Sequence, residues 1–212
     1  MSVPMTATAP PATGRRTQDE RRSRTRALLL DATVACLVEL GWTGTSTTEV
    51  ARRAGVSRGA QQHHYPTKMA LVAAALEHLI EAQRRSFEDA FAALPPEQHN
   101  VRGALDLLWD VFRQPPAKAL LELAIAARTD EELRALCRDL NERIPRVIVS
   151  TFDRLFPSST ALPADAVPTL LRAVYALYVG LSVQNGLDDD AHGHQRAVLT
   201  QLKTAARLLI PD

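Results

Sequence analysis

The segment "STTEVARRAGVSRGAQQHHYP", Ser46 to Pro66, leaves its backbone little choice. Ser46 precedes Glu49 by three residues, the spacing at which a hydroxyl and a carboxylate each take up an orphan N–H at a helix start. Gly55 suits the left-handed position that closes a helix, and Ser57 can cap the next one. Pro66 disfavours helical backbone in the residue before it. These signals predict one helix over about 47–54 and another over about 58–64, joined across three residues, which is a helix-turn-helix signature. The packing residues agree: Ala51 permits a close crossing, Gly55 a sharp turn, and Val56 a plug in the angle between the helices.

The rest of the chain also reads as helix. Of 212 residues 46% are hydrophobic but only 5% aromatic, and glycine is scarce, so the core is mostly Leu, Ala and Val, which favours helices over strands. An all-α fold of about nine helices is expected, with an N-terminal three-helix unit and a C-terminal helical bundle. Between Gln18 and Leu40, Leu30, Val34 and Leu37 form one amphipathic stripe, and Gly41 ends it. A long fourth helix, from about Thr67 nearly to Leu94, carries Val72, Leu76, Leu79, Ile80, Gln83 and Phe87 inward and bridges the two units. Later helices are expected over about 101–113, 117–128, 130–156, 165–185 and 191–209. A Thr129…Glu132 capping box opens the third of these, and Pro145 kinks it. The organisation is then a disordered lead-in over 1–18, rich in Pro, Ala and Thr, a helix-turn-helix unit over 19–68, and a larger unit over 69–212.

The penultimate helix is apolar nearly all round, and a helix without a wet face needs cover on two sides. Two arrangements provide it: the centre of a monomeric bundle, or a four-helix interface with a second subunit. In the second, Leu170, Val174, Leu177 and Leu181 join Val198, Leu202, Ala205 and Leu209 of the last helix as the homodimer interface.

A net charge of +1 conceals an asymmetry. Residues 1–68 carry ten Lys/Arg against five Asp/Glu, leaving fifteen against nineteen for 69–212. A small cationic module on a mildly acidic body suits a polyanionic partner. Cys36 and Cys137 fit no zinc or redox spacing and are expected as buried thiols of a reducing cytosol. The first fourteen residues lack the apolar run of a signal peptide, and the longest apolar tract, Val174 to Leu181, is far short of the ~20 residues that span a bilayer. A cytoplasmic protein with no membrane segment is expected. His63 and His64 are neighbours on a helix, about 100° apart, and cannot share a metal on one face. No nucleophile-elbow, zincin, phosphate-loop or dinucleotide motif occurs, so no catalytic residue, metal or cofactor is expected.

What the second short helix offers is base-reading chemistry. Arg makes a bidentate contact to guanine O6/N7 and Gln to adenine N6/N7; Arg58 and Gln62, four residues apart, share a face. Gly59 lets the helix start approach the bases, and Ala60 offers a methyl group to thymine. Gln61 has two placements: inward, where its amide needs a partner, or outward, where it reads a base. Arg15, Arg16, Arg21, Arg22, Arg24 and Arg26 form either an arm along the duplex or a solvated run. For Arg52 and Arg53 a solvated helix face suffices.

The combination of "VELGWTGTSTTEVA", "RRAGVSRG" and "HHYPTKMAL", spanning Thr25 to about Leu76, resembles the TetR family of bacterial transcriptional regulators. The resemblance implies a helical dimer with an N-terminal DNA-binding unit and a C-terminal unit that binds a small molecule and dimerises through its last two helices. It further implies phosphate contacts at Thr47, Thr48, His63, His64 and Lys68. The chain departs from the family pattern at Gln61, where leucine is common, and at Gln62, where tyrosine is frequent. Trp109, Phe112, Phe152, Tyr175 and Tyr178 either line an apolar effector pocket, with His78, Gln184 or Asn185 as polar anchors, or serve as plain core or dimer interface, the commoner use of aromatics at helical spacing. The function implied is a repressor that holds a palindromic double-stranded operator as a homodimer and is released by a small apolar effector. The alternative is a ligand-independent architectural protein that uses the same module to coat DNA.

Overall fold

The computed structural model describes residues 18–157, 166–184 and 191–209. Most of the lead-in expected over 1–18 lies outside them, as do Arg15 and Arg16. The described residues form α1 (Gln18–Gly44), α2 (Thr47–Ala54), α3 (Arg58–His64), α4 (Lys68–Ala92), α5 (Val101–Arg113), α6 (Pro115–Ala126), α7 (Glu131–Leu155), α8 (Ala166–Gln184) and α9 (Ala191–Leu209), with a single 3-10 turn at Pro96–Gln98. Among the described residues there is no strand.

Caps decide where the short helices begin and end. Ser46 Oγ accepts from the Glu49 N–H at 3.2 Å. The returning half expected of the Glu49 carboxylate is replaced: it takes Arg52 and Arg53 instead, because two guanidinium partners one turn away outbid a neutral N–H. Gly55 adopts φ 65°, ψ 30°, a left-handed geometry that costs a side chain ~1–2 kcal/mol. Its N–H and that of Val56 return to Arg52 and Ala51 carbonyls, closing α2 in a Schellman motif. Ser57 Oγ then receives the Ala60 N–H. Helix α1 bends at Gly41, whose φ of 63° and ψ of −171° interrupt the helical geometry, as the glycine predicts.

Two expectations about helix detail are corrected. The buried stripe of α1 is Leu29, Leu30, Thr33, Cys36 and Leu37, so Val34 sits at its edge. Asp130, not Thr129, caps α7 by accepting from Leu133, while Thr129 bonds the Ala126 carbonyl at the end of α6. Helix α7 continues through Pro145, which is buried.

Four apolar clusters organise the described residues, the smallest joining α7 to α8 through Phe152 and Val167. Leu29, Cys36, Val50, Ala54, Tyr65 and Leu71 bind α1 to α2, α3 and the start of α4. Leu37, Val72 and Leu76 belong to a second cluster with Leu123, Leu133 and Leu140, so α1 and α4 are each gripped by the helix-turn-helix at one end and by α6 and α7 at the other. The third joins α5, α8 and α9 through Leu105, Trp109, Phe112, Val174, Tyr178 and Leu181. Val174 and Leu181, two of the residues expected at a subunit interface, are buried in the chain's own core. The outward side of α8 carries Ala173, Ala176 and Gly180 instead. Of the other interface expectations, Val198 and Ala205 are exposed and Leu170, Leu177 and Leu202 half-buried; the Leu209 side chain lies outside the described residues.

Two helices, α1 and α8, contain 18-residue windows apolar enough to cross a membrane by composition, which corrects the expectation that no tract qualifies. In the fold α1 packs on α2, α4 and α6, and α8 on α5, α6 and α7.

Candidate nucleic-acid interface and effector cavity

The two glutamines of α3 part company. Gln61 is 5% exposed, and its Nε2 donates to the Tyr65 carbonyl at 2.7 Å. That bond answers the question of its placement: the amide points inward and satisfies the carbonyl left over where α3 ends. Gln62, one step round the helix, is exposed with Arg58 and Gly59, and Ala60 is half-buried at their edge. Arg58 and Gln62 thus stand together on the outer face of a helix whose ends are fixed by Ser57 and Pro66.

The residues around this face are less uniform than the sequence implies. Thr48 and His63 are exposed; Thr47 and His64 are half-buried. Lys68 turns its ammonium to the Trp42 carbonyl at 2.5 Å and over the Trp42 ring at 3.9 Å from its centroid. Burial there pulls its pKa below the usual lysine range. The side chain expected on phosphate is thereby an anchor between α4 and the end of α1. Glu49 is held near pKa 2 by its hydrogen bonds to Arg52 and Arg53, and Arg53 also reaches Glu39 on α1 at 2.6 Å. The pair read as a solvated face is a charge network linking α2 to α1.

At the other end of α3 the first turns of α1 contribute cations. Arg26 Nε donates to the Tyr65 hydroxyl at 3.4 Å. Burial, then the charges of His63, Arg22 and Arg26, lower the pKa of His64. Arg21, Arg22, Arg24 and Arg26 therefore ride on a helix beside the end of α3. No feature of the sequence alone brings Arg22 to His64; tertiary packing of α1 on α3 does.

In the C-terminal part, α4, α5, α6, α7 and α8 line a partly open cavity of about 320 Å³, within the ~300–1,000 Å³ range of small-molecule sites. Phe112, Phe152 and Tyr175 line it as expected. The other three expected residues do not. His78 Nε2 sits 2.9 Å from Asp31 Oδ1 on α1, because its face of α4 looks toward the helix-turn-helix. Tyr178 donates to the Leu105 carbonyl at 3.0 Å, and burial pushes its hydroxyl far up in pKa; Trp109 packs edge-on against it at 5.3 Å. Gln184 is exposed, and Asn185 lies outside the described residues. Wall residues missed by pattern are Arg84, Phe87, Cys137, Asn141, Phe156 and Ser182. One signal was legible: Gln83, an amide on an otherwise apolar face of α4, faces this cavity.

The chain matches the family model "Bacterial regulatory proteins, tetR family" over residues 29–75 and "BetI-type transcriptional repressor, C-terminal" over 98–210. It is 32% identical to the HTH-type transcriptional regulator CymR of Pseudomonas putida across 90% of this chain and 94% of that one. Among solved structures, a TetR-family regulator from Cytophaga hutchinsonii superposes with a TM-score of 0.65 at 16% identity, covering 91% of this chain and 98% of the other. The multidrug binding protein EbrR, solved with proflavin, gives 0.52 at 24% identity over 84% and 99%. With a capped helix-turn-helix at one end, an apolar cavity at the other and both halves matched by family models, the chain belongs to the TetR family of DNA-binding transcriptional regulators and is not an enzyme.

Proposed function

We propose that the protein is a ligand-responsive repressor that binds a palindromic operator as a homodimer. Residues 19–68 read the DNA, and 69–212 hold the effector and the subunit contact. The observation that carries this reading is the simultaneous exposure of Arg58 and Gln62 on a helix held rigid by its own caps. Arg58 addresses guanine and Gln62 adenine, with Gly59 and Ala60 at the closest approach. Thr47, Thr48 and His63 lie where backbone contacts position the helix, and Arg22 and Arg26, close to His64, add positive charge beside them. Lys68 has its ammonium committed to Trp42, so its part is to hold the start of α4.

Dimerisation through α8 and α9 would use the outward face of Ala173, Ala176 and Gly180 together with Val198 and Ala205. It would set two copies of α3 in successive major grooves about 34–36 Å apart. The lever is α4, which shares a core with the helix-turn-helix through Leu71 and Ala75 and lines the cavity through Leu79, Gln83 and Phe87. An effector that favours the released spacing by ~1–3 kcal/mol gives the usual scale of allosteric control. Such regulators act in the cytoplasm, where their operators are. Similarity to EbrR, crystallised with proflavin, supports a small-molecule role for the C-terminal part.

Footprinting on DNA flanking the protein's own gene tests the reading. One short palindrome should be protected, and Arg58→Ala should relax sequence preference there. Protection spread evenly along the fragment, or unchanged preference in Arg58→Ala, would refute it.

A further inference from the structure

Resting on the reading of the cavity as the effector site, its walls narrow the effector's chemistry. Among the described residues no Asp, Glu, Lys or His lines it; the sole formal charge in the wall is Arg84. That guanidinium is already engaged. Nε and Nη2 hold the two carboxylate oxygens of Glu81 at 2.9 and 2.5 Å, and Nη1 holds Glu88 at 2.5 Å. Glu88 is further bonded by Arg154. An anionic ligand would have to displace Glu81 or Glu88 from Arg84. A cationic one would find no carboxylate among the described wall residues. Either charge would leave water without compensation.

Three polar groups in the wall lack that saturation: among the described residues the Tyr175 hydroxyl on α8, the Gln83 amide on α4 and the Asn141 amide on α7 make no hydrogen bond. Asn141 is exposed to solvent, which leaves Tyr175 and Gln83 as the half-buried pair, and burial raises the pKa of Tyr175, so the phenol stays a neutral donor. Size sets the other limit. An apolar cavity of ~150 Å³ holds a benzene, so about 320 Å³ suits one substituted ring or two fused rings, on the order of ten to fifteen non-hydrogen atoms.

We infer that the effector is an uncharged, largely hydrocarbon molecule of one or two rings bearing a single hydrogen-bonding group read by Tyr175 or Gln83. Charge is disfavoured by the absence of a free counter-ion among the described wall residues, and the volume matches a ligand of this size.

The test uses the full chain with four probes of one skeleton: naphthalene, 2-naphthol, 2-naphthoate and 2-naphthylmethylammonium, titrated by calorimetry near neutral pH. The expected order is 2-naphthol tightest, with the anion and the cation weaker by about a hundredfold. Tyr175→Phe together with Gln83→Leu should cost 2-naphthol about tenfold and leave naphthalene unchanged. Two separate plugs, Leu120→Trp and Val147→Phe, should abolish binding of both while the far-ultraviolet spectrum stays helical. Binding of either ion within tenfold of 2-naphthol, binding that survives both plugs, or no binding of any probe at millimolar concentration overturns the inference. Operator release is read in parallel. If 2-naphthol binds with this profile but the operator stays occupied, the regulatory reading fails and the ligand class stands; if an ion releases the operator best, the reverse holds.

Discussion

Gln61 and Gln62 are neighbours in sequence with opposite expected consequences when truncated. In Gln61→Ala the Nε2–Tyr65 carbonyl bond of 2.7 Å is lost at a position only 5% exposed. A neutral hydrogen bond contributes a net ~0.5–1.5 kcal/mol, and an acceptor left buried without a partner costs ~1–3 kcal/mol. The low end of the combined range, about 2 kcal/mol, is expected, because the carbonyl lies at the end of α3 next to the exposed Pro66. For a chain of this size that lowers Tm by about 4–8 °C. Gln61→Leu keeps the volume and loses only the donor, so it isolates the bond at about 1 kcal/mol. Gln62→Ala should leave Tm within the ~0.5 kcal/mol band of surface substitutions and instead erase ~1–3 kcal/mol of discrimination at one operator position. The assays are thermal unfolding by circular dichroism and fluorescence anisotropy on single-base operator variants. If Gln61→Ala changes base preference while Tm holds, or Gln62→Ala does the converse, α3 is rotated by one residue and the assignment of its outer face is wrong.

Replacing Lys68 by Ala removes a charged hydrogen bond and a cation–π contact to Trp42, together about 2 kcal/mol for a half-buried ammonium; chemical denaturation should show the loss, and an unchanged midpoint would return Lys68 to a purely phosphate-binding role. Gly55→Ala meets no neighbouring atom within 4 Å, so only the left-handed backbone opposes it, and a loss of ~1–2 kcal/mol is expected; a larger loss would mean that α2 and α3 also shift. The lowered pKa of His64, caused first by burial and then by His63, Arg22 and Arg26, makes its contribution to stability present above the ordinary imidazole value near pH 6.5 and lost as pH falls through the lower folded value. Tm measured from about pH 8 to about pH 5 should therefore fall more steeply for the wild type than for His64→Gln, and parallel curves would contradict the burial of that ring.

The local signals at Ser46, Gly55, Ser57 and Pro66 determined the helix-turn-helix by themselves, because caps and backbone conformations act within a few residues and need no tertiary partner. Fold class followed from composition for the same reason: a chain rich in Leu and Ala and poor in aromatics has few alternatives to packed helices. Arg58 and Gln62 were legible because their chemistry and their four-residue spacing are both local. What the sequence left open depends on which elements meet. Glu49 could satisfy a backbone N–H or two arginines, and nearby charge chose the second. Lys68 and His78 look like surface groups until α1 is placed beside α4, where Trp42 and Asp31 claim them. Val174 and Leu181 serve a core or a subunit contact equally well by periodicity, and only the packing of α8 on α5 turned them inward. The cavity is the clearest case: its wall draws on five helices whose residues are up to a hundred positions apart, so no window of sequence contains it, and the pairing of Arg84 with Glu81 and Glu88 that makes it neutral becomes a property of the site only once the helices have closed around it.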